Sequence, residues 1–211
     1  MTTDRAVVDE NLTSEKILDV AREQVRRFGE AKTNVVDIAR ALGTSHTTIY
    51  RHFRSKAEVF HALVVEAMRD EEELARTFVH SEGPASERLE GLVLALHKRK
   101  LERFANDPEV YQLYRRVVDE RPSLIQDYAA RMTRLVAKIL ADGVRKKEYK
   151  IDDIDAAAEV VRDAVTVYVH PAHVEAAAQA RHRLEPAIKR MISALNIAFR
   201  SGFSIAPGKR S

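Results

Sequence analysis

The segment 33–60, TNVVDIARALGTSHTTIYRHFRSKAEVF, constrains the fold more than any other part of the chain. Its pattern predicts two short helices, a tight turn between them and the start of a longer third helix. Asn34 can cap the first helix with Asp37 completing a capping box, and Gly43 supplies the left-handed residue that ends it. The Ser45 hydroxyl can cap the second helix. The segment is therefore predicted to be a helix-turn-helix.

The second helix of this motif, residues 46–53, has two chemically different faces. Ile49 and Phe53 are four residues apart, so they lie on one face and can pack together. The other face carries side chains that can donate hydrogen bonds, namely His46, Thr47, Tyr50 and Arg51. This second face has the size and chemistry to enter a DNA major groove.

The same part of the chain, from about Ile17 to Phe60, closely resembles the amino-terminal signature of TetR-type transcriptional regulators. The residues that carry the resemblance are Ile38, Ala39, Leu42, Gly43, Ser45, Thr48, Ile49, Tyr50, His52, Phe53 and Lys56. It implies a DNA-binding domain followed by a larger helical domain for ligand binding and dimerisation. It also implies that Tyr50 and Lys56 hold the DNA backbone, because the matching residues do so in that family.

We predict a set of DNA-contacting residues that extends over the whole motif. Arg51 can pair with a guanine through two hydrogen bonds, and His46 and Thr47 are the other candidates for contact with base edges. Contact with phosphate alone is the alternative for each of these three. The predicted set is Thr33, Asn34, Thr44, Ser45, His46, Thr47, Tyr50, Arg51, His52 and Lys56.

Composition restricts the class of protein. The chain has 211 residues, of which 45% are hydrophobic and 32% are charged, as in soluble helical proteins. It has no apolar run long enough to span a bilayer, and its start lacks the apolar core of a signal peptide. Without cysteine it can form neither a disulfide nor a thiolate metal site. We therefore expect a cytoplasmic protein.

Taken in order, the chain predicts an all-α protein with two domains. Residues 1–60 are expected to form the helix-turn-helix domain, beginning with a flexible arm over residues 1–12. Residues 61–211 are expected to form a helical bundle for ligand binding and dimerisation. The first helix, starting at Thr13 or Ser14, carries an apolar stripe that reaches Phe28.

The helix that starts after Ser55 should reach out of the small domain, and its acidic run, residues 70–73, is predicted to be a solvated face. Residues 81–84, Ser-Glu-Gly-Pro, then break the helical pattern. Beyond them, breaker spacing predicts about five more helical segments, with Pro171 ending one and Pro186 opening the last. No strand pattern competes with this interpretation.

Catalytic and metal sites are not predicted. His170, His173 and His182 lack the acidic or cysteine partners that would complete a tetrahedral metal site. No glycine-rich phosphate loop or nucleophile elbow is present. We therefore expect a protein that is not an enzyme and that needs no cofactor.

Three functional classes follow from these features. The first is a transcriptional regulator, most simply a repressor that a small molecule releases from a palindromic operator. The second is a DNA-binding architectural or assembly protein whose larger domain binds a protein. The third is a helical enzyme or transporter accessory in which the helix-turn-helix is incidental. Sequence-specific DNA binding excludes the third, and release by a small molecule separates the first two.

A homodimer is predicted through the last two helices. They carry more apolar residues than one bundle should need, and two helices from each subunit would form a four-helix interface. The residues predicted to lie in this interface are Ala157, Val161, Ala164, Tyr168, Ile188, Ile192, Leu195 and Phe199.

A mainly apolar ligand pocket is predicted inside the larger domain, because its central helices carry aromatic rings with polar tips. The candidate lining residues are His97, Phe104, Tyr111, Tyr114, Tyr128, Met132 and Tyr168. No acidic residue lies clearly on an inward stripe of these helices, so a neutral or anionic ligand is favoured over a cation. A plain core whose tyrosine hydroxyls reach the surface is the alternative.

Overall fold

The computed structural model describes residues 12–204, which fold into ten α-helices. Outside the helices, these residues contain one isolated bridge, which joins Ile151 to Phe203. The all-α prediction is confirmed, while the predicted arm lies outside the described residues except for Leu12. The helices are α1 Ser14–Phe28, α2 Val35–Ala41, α3 His46–His52, α4 Lys56–His80, α5 Ala85–Asn106, α6 Pro108–Glu120, α7 Pro122–Arg145, α8 Ile154–Val169, α9 Pro171–Gln179 and α10 Glu185–Ser201.

The chain forms two compact units. Among the described residues, the first consists of residues 12–68 together with Arg103–Arg121, and the second of Arg69–Glu102 together with residues 122–204. The predicted domain boundary after residue 60 stays a prediction.

The core of the first unit lies under the helix-turn-helix. Ile17 of α1, Ile38 of α2 and Ile49 of α3 are completely buried, so the three helices enclose one apolar centre. Phe28 was predicted to belong to this core but is 49% exposed. It is the last residue of α1, and its ring lies 5.3 Å from the Arg27 guanidinium.

Helix α6 also belongs to the first unit and packs against α1. Two ion pairs hold it to the α1–α2 region. Asp107, which immediately precedes α6, accepts from Nη2 of Arg26 at 3.1 Å, and Arg116 Nε donates to Glu30 at 2.8 Å. The first unit is therefore the helix-turn-helix with α6 as an additional supporting helix.

The cap residues predicted from the motif are largely confirmed. The Asn34 side chain accepts from the backbone N–H of Asp37 at 3.0 Å, and Gly43 has φ 68°, where a side chain would be strained. The Ser45 hydroxyl accepts from the backbone N–H of Thr48 at 3.1 Å. The carboxylate of Asp37 pairs with Arg40 at 2.9 Å, however, so it does not complete the capping box.

The second unit has its own apolar core, to which α5, α7, α8 and α10 contribute. Its centre is completely buried at Leu89, Ile139, Val161, Ile188 and Phe199. At its edge, a side chain at Gly143 would lie only 2.5 Å from the Tyr149 ring, so the close approach requires glycine. The unit is thus a bundle that closes without the helix-turn-helix.

Proline is the first residue of three helices, and a single residue separates each of them from the preceding helix. Pro108 follows α5 in this way, Pro122 follows α6 and Pro171 follows α8. Proline suits the first helical position, where its missing N–H is not needed. The predicted helix end near Pro171 is confirmed, but α9 was not predicted, because the same proline both follows one helix and starts the next.

Five of the eight residues predicted for the dimer interface are buried in their own unit. Ala157 and Val161 of α8, and Ile188, Ile192 and Phe199 of α10, are all 0% exposed because they face the interior of their own unit. Their apolar side chains are already buried in the core of the second unit. On the same two helices, the exposed apolar residues are Val167 at 49% and Ile197 at 62%.

Candidate DNA interface and ligand cavity

Helix α3 presents a polar surface, as the sequence predicts. Ile49 is 0% exposed and Phe53, which caps α3, is 7% exposed, so this apolar face anchors the helix. The residues predicted for the opposite face are all exposed, namely His46, Thr47, Tyr50 and Arg51. A short helix held by its apolar side and bearing donors on its open side can place those donors in a groove of DNA.

Tyr50 is 46% exposed, as predicted from its position beside Ile49. The ring of His46, one turn earlier, meets it edge to face with the centroids 6.2 Å apart. This contact supports the Tyr50 ring from within α3. The phenol is therefore accessible on the open side of α3.

Thr33 and Thr44, both in the predicted DNA-contacting set, lie in turns and are buried. Thr33 is 1% exposed and its hydroxyl donates to the Gly29 carbonyl at 2.9 Å, so it closes the turn between α1 and α2. Thr44 is 6% exposed in the turn between α2 and α3. Because both side chains are buried, the proposed DNA-contacting set does not include them.

Lys56 and His52 are both half-buried and both contact the first unit. The Lys56 ammonium donates to the Glu30 carbonyl at 3.0 Å and lies 5.2 Å from the centroid of the Phe60 ring. Nδ1 of His52 lies 3.3 Å from the Ser14 hydroxyl. An ammonium has three N–H donors, so the bond to Glu30 leaves Lys56 with donors for a phosphate.

The residues predicted to line a ligand pocket are divided between the two units. Phe104, Tyr111 and Tyr114 belong to the first unit, where the rings of Phe104 and Tyr111 meet edge to face at 5.4 Å. The remaining predicted residues belong to the second unit, namely His97, Tyr128, Met132 and Tyr168. The prediction that His97 points inward is confirmed, since it is 4% exposed.

A buried charge cluster in the second unit was not predicted. Glu71 is 0% exposed and Glu72 is 6% exposed, so the prediction that residues 70–73 form a solvated face is wrong for these two. The Lys100 ammonium donates to both carboxylate oxygens of Glu71, at 2.9 and 2.7 Å. The Tyr128 hydroxyl donates to the same carboxylate at 2.5 Å.

A sequence signal for this burial exists on α4. Val64, Met68, Glu71 and Ala75 recur at spacings of three and four, and all four are buried. The buried stripe thus continues through the acidic run. Its partner Lys100 lies on the buried stripe of α5, four residues after Leu96 and three after His97. The pairing of Lys100 with Glu71 has no local signal, because the two residues are far apart in the sequence.

A cavity of about 220 Å³ lies in the second unit, between α5, α9 and the start of α10. His97 is its buried polar member, and the Nδ1 of His97 lies 2.8 Å from the Tyr168 carbonyl oxygen. Of the predicted ligand-binding residues, only His97 is among the residues that line it. The lining residues are His97, Leu101, Val174, Ala177, Ala178, Arg181, His182, Arg183, Leu184 and Glu185.

The three histidines of the carboxyl-terminal third do not converge. The rings of His170 and His173 lie 5.4 Å apart, while His182 lies at the cavity. Within residues 12–204, no three histidine or acidic side chains are grouped closely enough to hold a metal ion. None of the helices in the same range is long and apolar enough to cross a membrane.

Two family models match the chain. The one described as bacterial regulatory proteins, tetR family, matches residues 17–63. The one described as tetracyclin repressor-like, C-terminal domain, matches residues 85–188. The first match covers the helix-turn-helix, and the second includes all ten residues that line the cavity. No curated protein matches the chain significantly.

Solved structures with the same fold include regulators of fatty acid metabolism. FadR from Bacillus halodurans, a fatty acid degradation regulator, is 21% identical over 86% of this chain and 93% of its own, with a TM-score of 0.58. FadR from Bacillus subtilis, solved in complex with stearoyl-CoA, is 19% identical over 91% and 100%, with a TM-score of 0.56. A transcriptional regulator from Cytophaga hutchinsonii is 17% identical over 88% and 97%, with a TM-score of 0.67. At these identities the similarity concerns the fold.

Proposed function

Because this chain belongs to the TetR family of bacterial transcriptional regulators, we propose that it is a cytoplasmic repressor. In this proposal a homodimer binds a palindromic operator and a small molecule releases it. The observation that carries the proposal is the exposed polar face of α3, held in place by the buried Ile49.

The proposed DNA surface contains the exposed face of α3 and the starts of α2 and α4. Arg51 and Thr47 are assigned to base edges, and Tyr50 and Lys56 to phosphates. Asn34 and Ser45 cap α2 and α3, and we assign both to contact with the DNA backbone at these helix starts. His46 and His52 complete the set at the two ends of α3.

We infer that dimerisation uses the outward face of α8 and α10. Val167 and Ile197 are the large apolar side chains exposed there, and Ala194 is a small exposed residue one turn before Ile197. Small and apolar residues allow helices of two subunits to approach closely in a bundle. A two-fold dimer of this kind would match two half-sites of a palindrome.

The proposed effector site lies in the second unit, and its ligand is neutral or anionic. Although one relative was solved with stearoyl-CoA, the cavity of about 220 Å³ is below the roughly 300–1,000 Å³ of typical ligand sites. It therefore fits a molecule much smaller than stearoyl-CoA.

Helix α5 offers a route from this cavity to the DNA-binding unit. It carries His97, and it ends at Asn106, one residue before Asp107, which pairs with Arg26 of α1. A ligand that displaces α5 would shift Asp107 and α6. The ligand must bind the two arrangements with different affinity, since otherwise no population shifts.

The experiment that tests this function is selection of binding sites from randomised double-stranded DNA with the full-length protein. We expect enrichment of an inverted repeat whose half-sites lie about one helical turn apart. If the selection enriches no sequence although the protein binds DNA strongly and in a salt-dependent way, an architectural protein is favoured instead. With the selected site in hand, loss of binding on addition of a small molecule separates a ligand-responsive repressor from an assembly protein.

A further inference from the structure

The position of Lys56, which is assigned to a DNA phosphate, depends on the turn between α1 and α2. Its ammonium donates to the backbone carbonyl of Glu30, in that turn, at 3.0 Å. It also lies 5.2 Å from the centroid of the Phe60 ring on its own helix, α4. Because the side chain is half-buried, these two contacts define the position of its remaining N–H donors. A shift of the Glu30 carbonyl would therefore shift the Lys56 charge.

The side chain of Glu30 joins this turn to α6. Nε of Arg116 donates to one carboxylate oxygen at 2.8 Å, and Nη2 donates to the other oxygen. Two parallel hydrogen bonds between a guanidinium and a carboxylate fix the orientation of the two groups as well as their distance. Glu120, one turn later on α6, accepts from Nη1 of the same guanidinium. Glu30 thus contacts Lys56 through its carbonyl and α6 through its carboxylate.

Helix α6 is itself anchored in the core of the first unit. Leu113 is 1% exposed and Val117 is 5% exposed, so buried apolar side chains hold the helix close to Arg116 on both sides in the sequence. All the residues of this set belong to the first unit. The contacts therefore form a continuous path from the buried side of α6 through Arg116 and Glu30 to the ammonium of Lys56.

We propose that Arg116 and Glu30 are positioning residues for DNA binding. Their ion pair fixes the turn so that the Glu30 carbonyl presents the Lys56 ammonium to a phosphate, while neither of the paired side chains touches DNA itself. A partly exposed ion pair contributes little to the stability of a fold, so the main effect of this pair is expected in DNA affinity. The inference rests on the proposed function in taking Lys56 as a phosphate contact.

Substitution of Glu30 is a sharp test, because net charge and positioning predict opposite results. Glu30→Met removes a negative charge from the DNA-binding unit, and this alone should tighten binding to DNA, which is a polyanion. Loss of the positioning contact should instead weaken operator binding by about three- to tenfold for a dimer, in which the contact occurs twice. Glu120→Met is the matched control. It removes the other carboxylate that pairs with Arg116 but keeps the contact with Glu30, so it should not weaken binding.

Substitution of Arg116 shows whether the effect passes through Lys56. Arg116→Met should weaken operator binding by a factor similar to that of Glu30→Met, whereas Arg134→Met, which removes the same charge from an exposed position on α7, should leave it unchanged. In a protein that already carries Lys56→Met, Arg116→Met should weaken binding by less than about twofold, because the two residues act through one contact. Fluorescence anisotropy with the selected operator measures these affinities, and circular dichroism verifies that each variant is folded.

Three results would overturn the proposal. The first is unchanged or tighter operator binding by Glu30→Met, and the second is unchanged binding by Arg116→Met. The third is an equal loss on Arg116→Met with and without Lys56→Met, which would mean that Arg116 contacts DNA directly.

The fate of the repressor function is read separately, from the natural protein. If that protein binds its operator specifically, any of the three results rejects the positioning role alone. If it selects no operator, the repressor function is rejected. The same variants then test the positioning role on a random duplex at low salt, because phosphate contacts do not depend on sequence. Absence of all DNA binding would reject both.

Discussion

At the scale of single residues, the carboxylate of Asp142 on α7 is surrounded by three basic side chains. Lys146 Nζ lies 3.0 Å from Oδ2, and Arg145 and Arg88 also pair with it. The hydrogen bond from Lys146, together with the bond from Arg145 and the charge of Arg88, lowers the pKa of Asp142 to about 2, although burial opposes this. The charged form is therefore favoured in the folded protein more than in the unfolded chain.

Asp142→Asn should lower the free energy of unfolding at pH 7. Solvent screens this partly exposed group, so the expected loss is about 1–2 kcal/mol. Because the folded pKa is depressed, the stabilisation is present above about pH 4 and is lost as the pH falls toward about 2. Urea denaturation at a series of pH values measures it. Asp119→Asn, at an exposed position near the end of α6, is the control, and a loss that does not depend on pH would contradict the assignment.

Tyr149 illustrates the opposite shift. Its hydroxyl donates to Asn196 Oδ1 at 2.7 Å, and burial, with a smaller contribution from the charge of Glu148, raises its pKa to about 12. Tyr149→Phe leaves the Asn196 oxygen without its donor, which should destabilise the protein by about 1–3 kcal/mol. The difference from the natural protein should shrink as the pH rises from about 10 to about 12.

Chemical denaturation of Tyr149→Phe measures this effect, with Tyr50→Phe as its matched control. The same hydroxyl is removed at Tyr50, but from a half-exposed ring on α3. Equal destabilisation by the two substitutions would show that the Asn196 bond is not the cause.

Single substitutions can also distinguish residues that recognise bases from residues that contact phosphates. Arg51→Ala should relax discrimination at one base pair by about 1–3 kcal/mol, whereas Tyr50→Phe should weaken binding to all sequences by a similar factor. Fluorescence anisotropy with the selected operator and its single-base variants measures both. Lys138→Ala removes a charge from an exposed position on α7 and should change neither. A uniform loss on Arg51→Ala would assign that residue to phosphate.

At the scale of helices, the buried pair of Glu71 and Lys100 joins α4 to α5. Removing one partner leaves the other charge buried, so Glu71→Leu alone, or Lys100→Met alone, should destabilise the protein by about 3–5 kcal/mol. The double variant Glu71→Leu with Lys100→Met removes both charges and should lose much less. A double-mutant cycle from urea denaturation measures the coupling. If the double variant is as unstable as the sum of the two single variants, the pair does not act as a unit.

Local signals were enough to predict some elements and not others. The caps at Asn34 and Ser45 depend on residues three positions away, so the sequence shows both partners at once. The burial of Glu71 depends on Lys100, which a different helix supplies. Helix α9 was missed for a related reason, since Pro171 alone does not show whether the chain turns helical again.

At the scale of the whole molecule, oligomerisation depends on residues that the sequence could not identify. Apolar residues on α8 and α10 predicted an interface, but the pattern does not show whether a partner or the molecule's own core covers them. Five of the predicted residues are covered by the core. The exposed Val167 and Ile197 are therefore the better candidates for the dimer interface. In contrast, the two-domain, all-helical organisation could be predicted, because most helices show their own periodicity.

Ile197→Asp should convert the proposed dimer to a monomer. A charge placed in the apolar centre of an interface should raise the dimer dissociation constant at least about a hundredfold, or about 2.7 kcal/mol. Light scattering at micromolar concentration measures this, and operator affinity should fall with it. Ala130→Asp places the same charge at an exposed position of α7 as the control. A dimer that persists in Ile197→Asp would move the interface to another surface.

The three proline junctions at Pro108, Pro122 and Pro171 restrict how the length of this chain can change during evolution. Only one residue separates the helices at each junction. An inserted residue would rotate the following helix by about 100° relative to the preceding one and turn its buried side chains to solvent. Insertions and deletions in descendants of this gene should therefore be rarer at these junctions than in the exposed connection of residues 81–84, where a reporter peptide is best inserted.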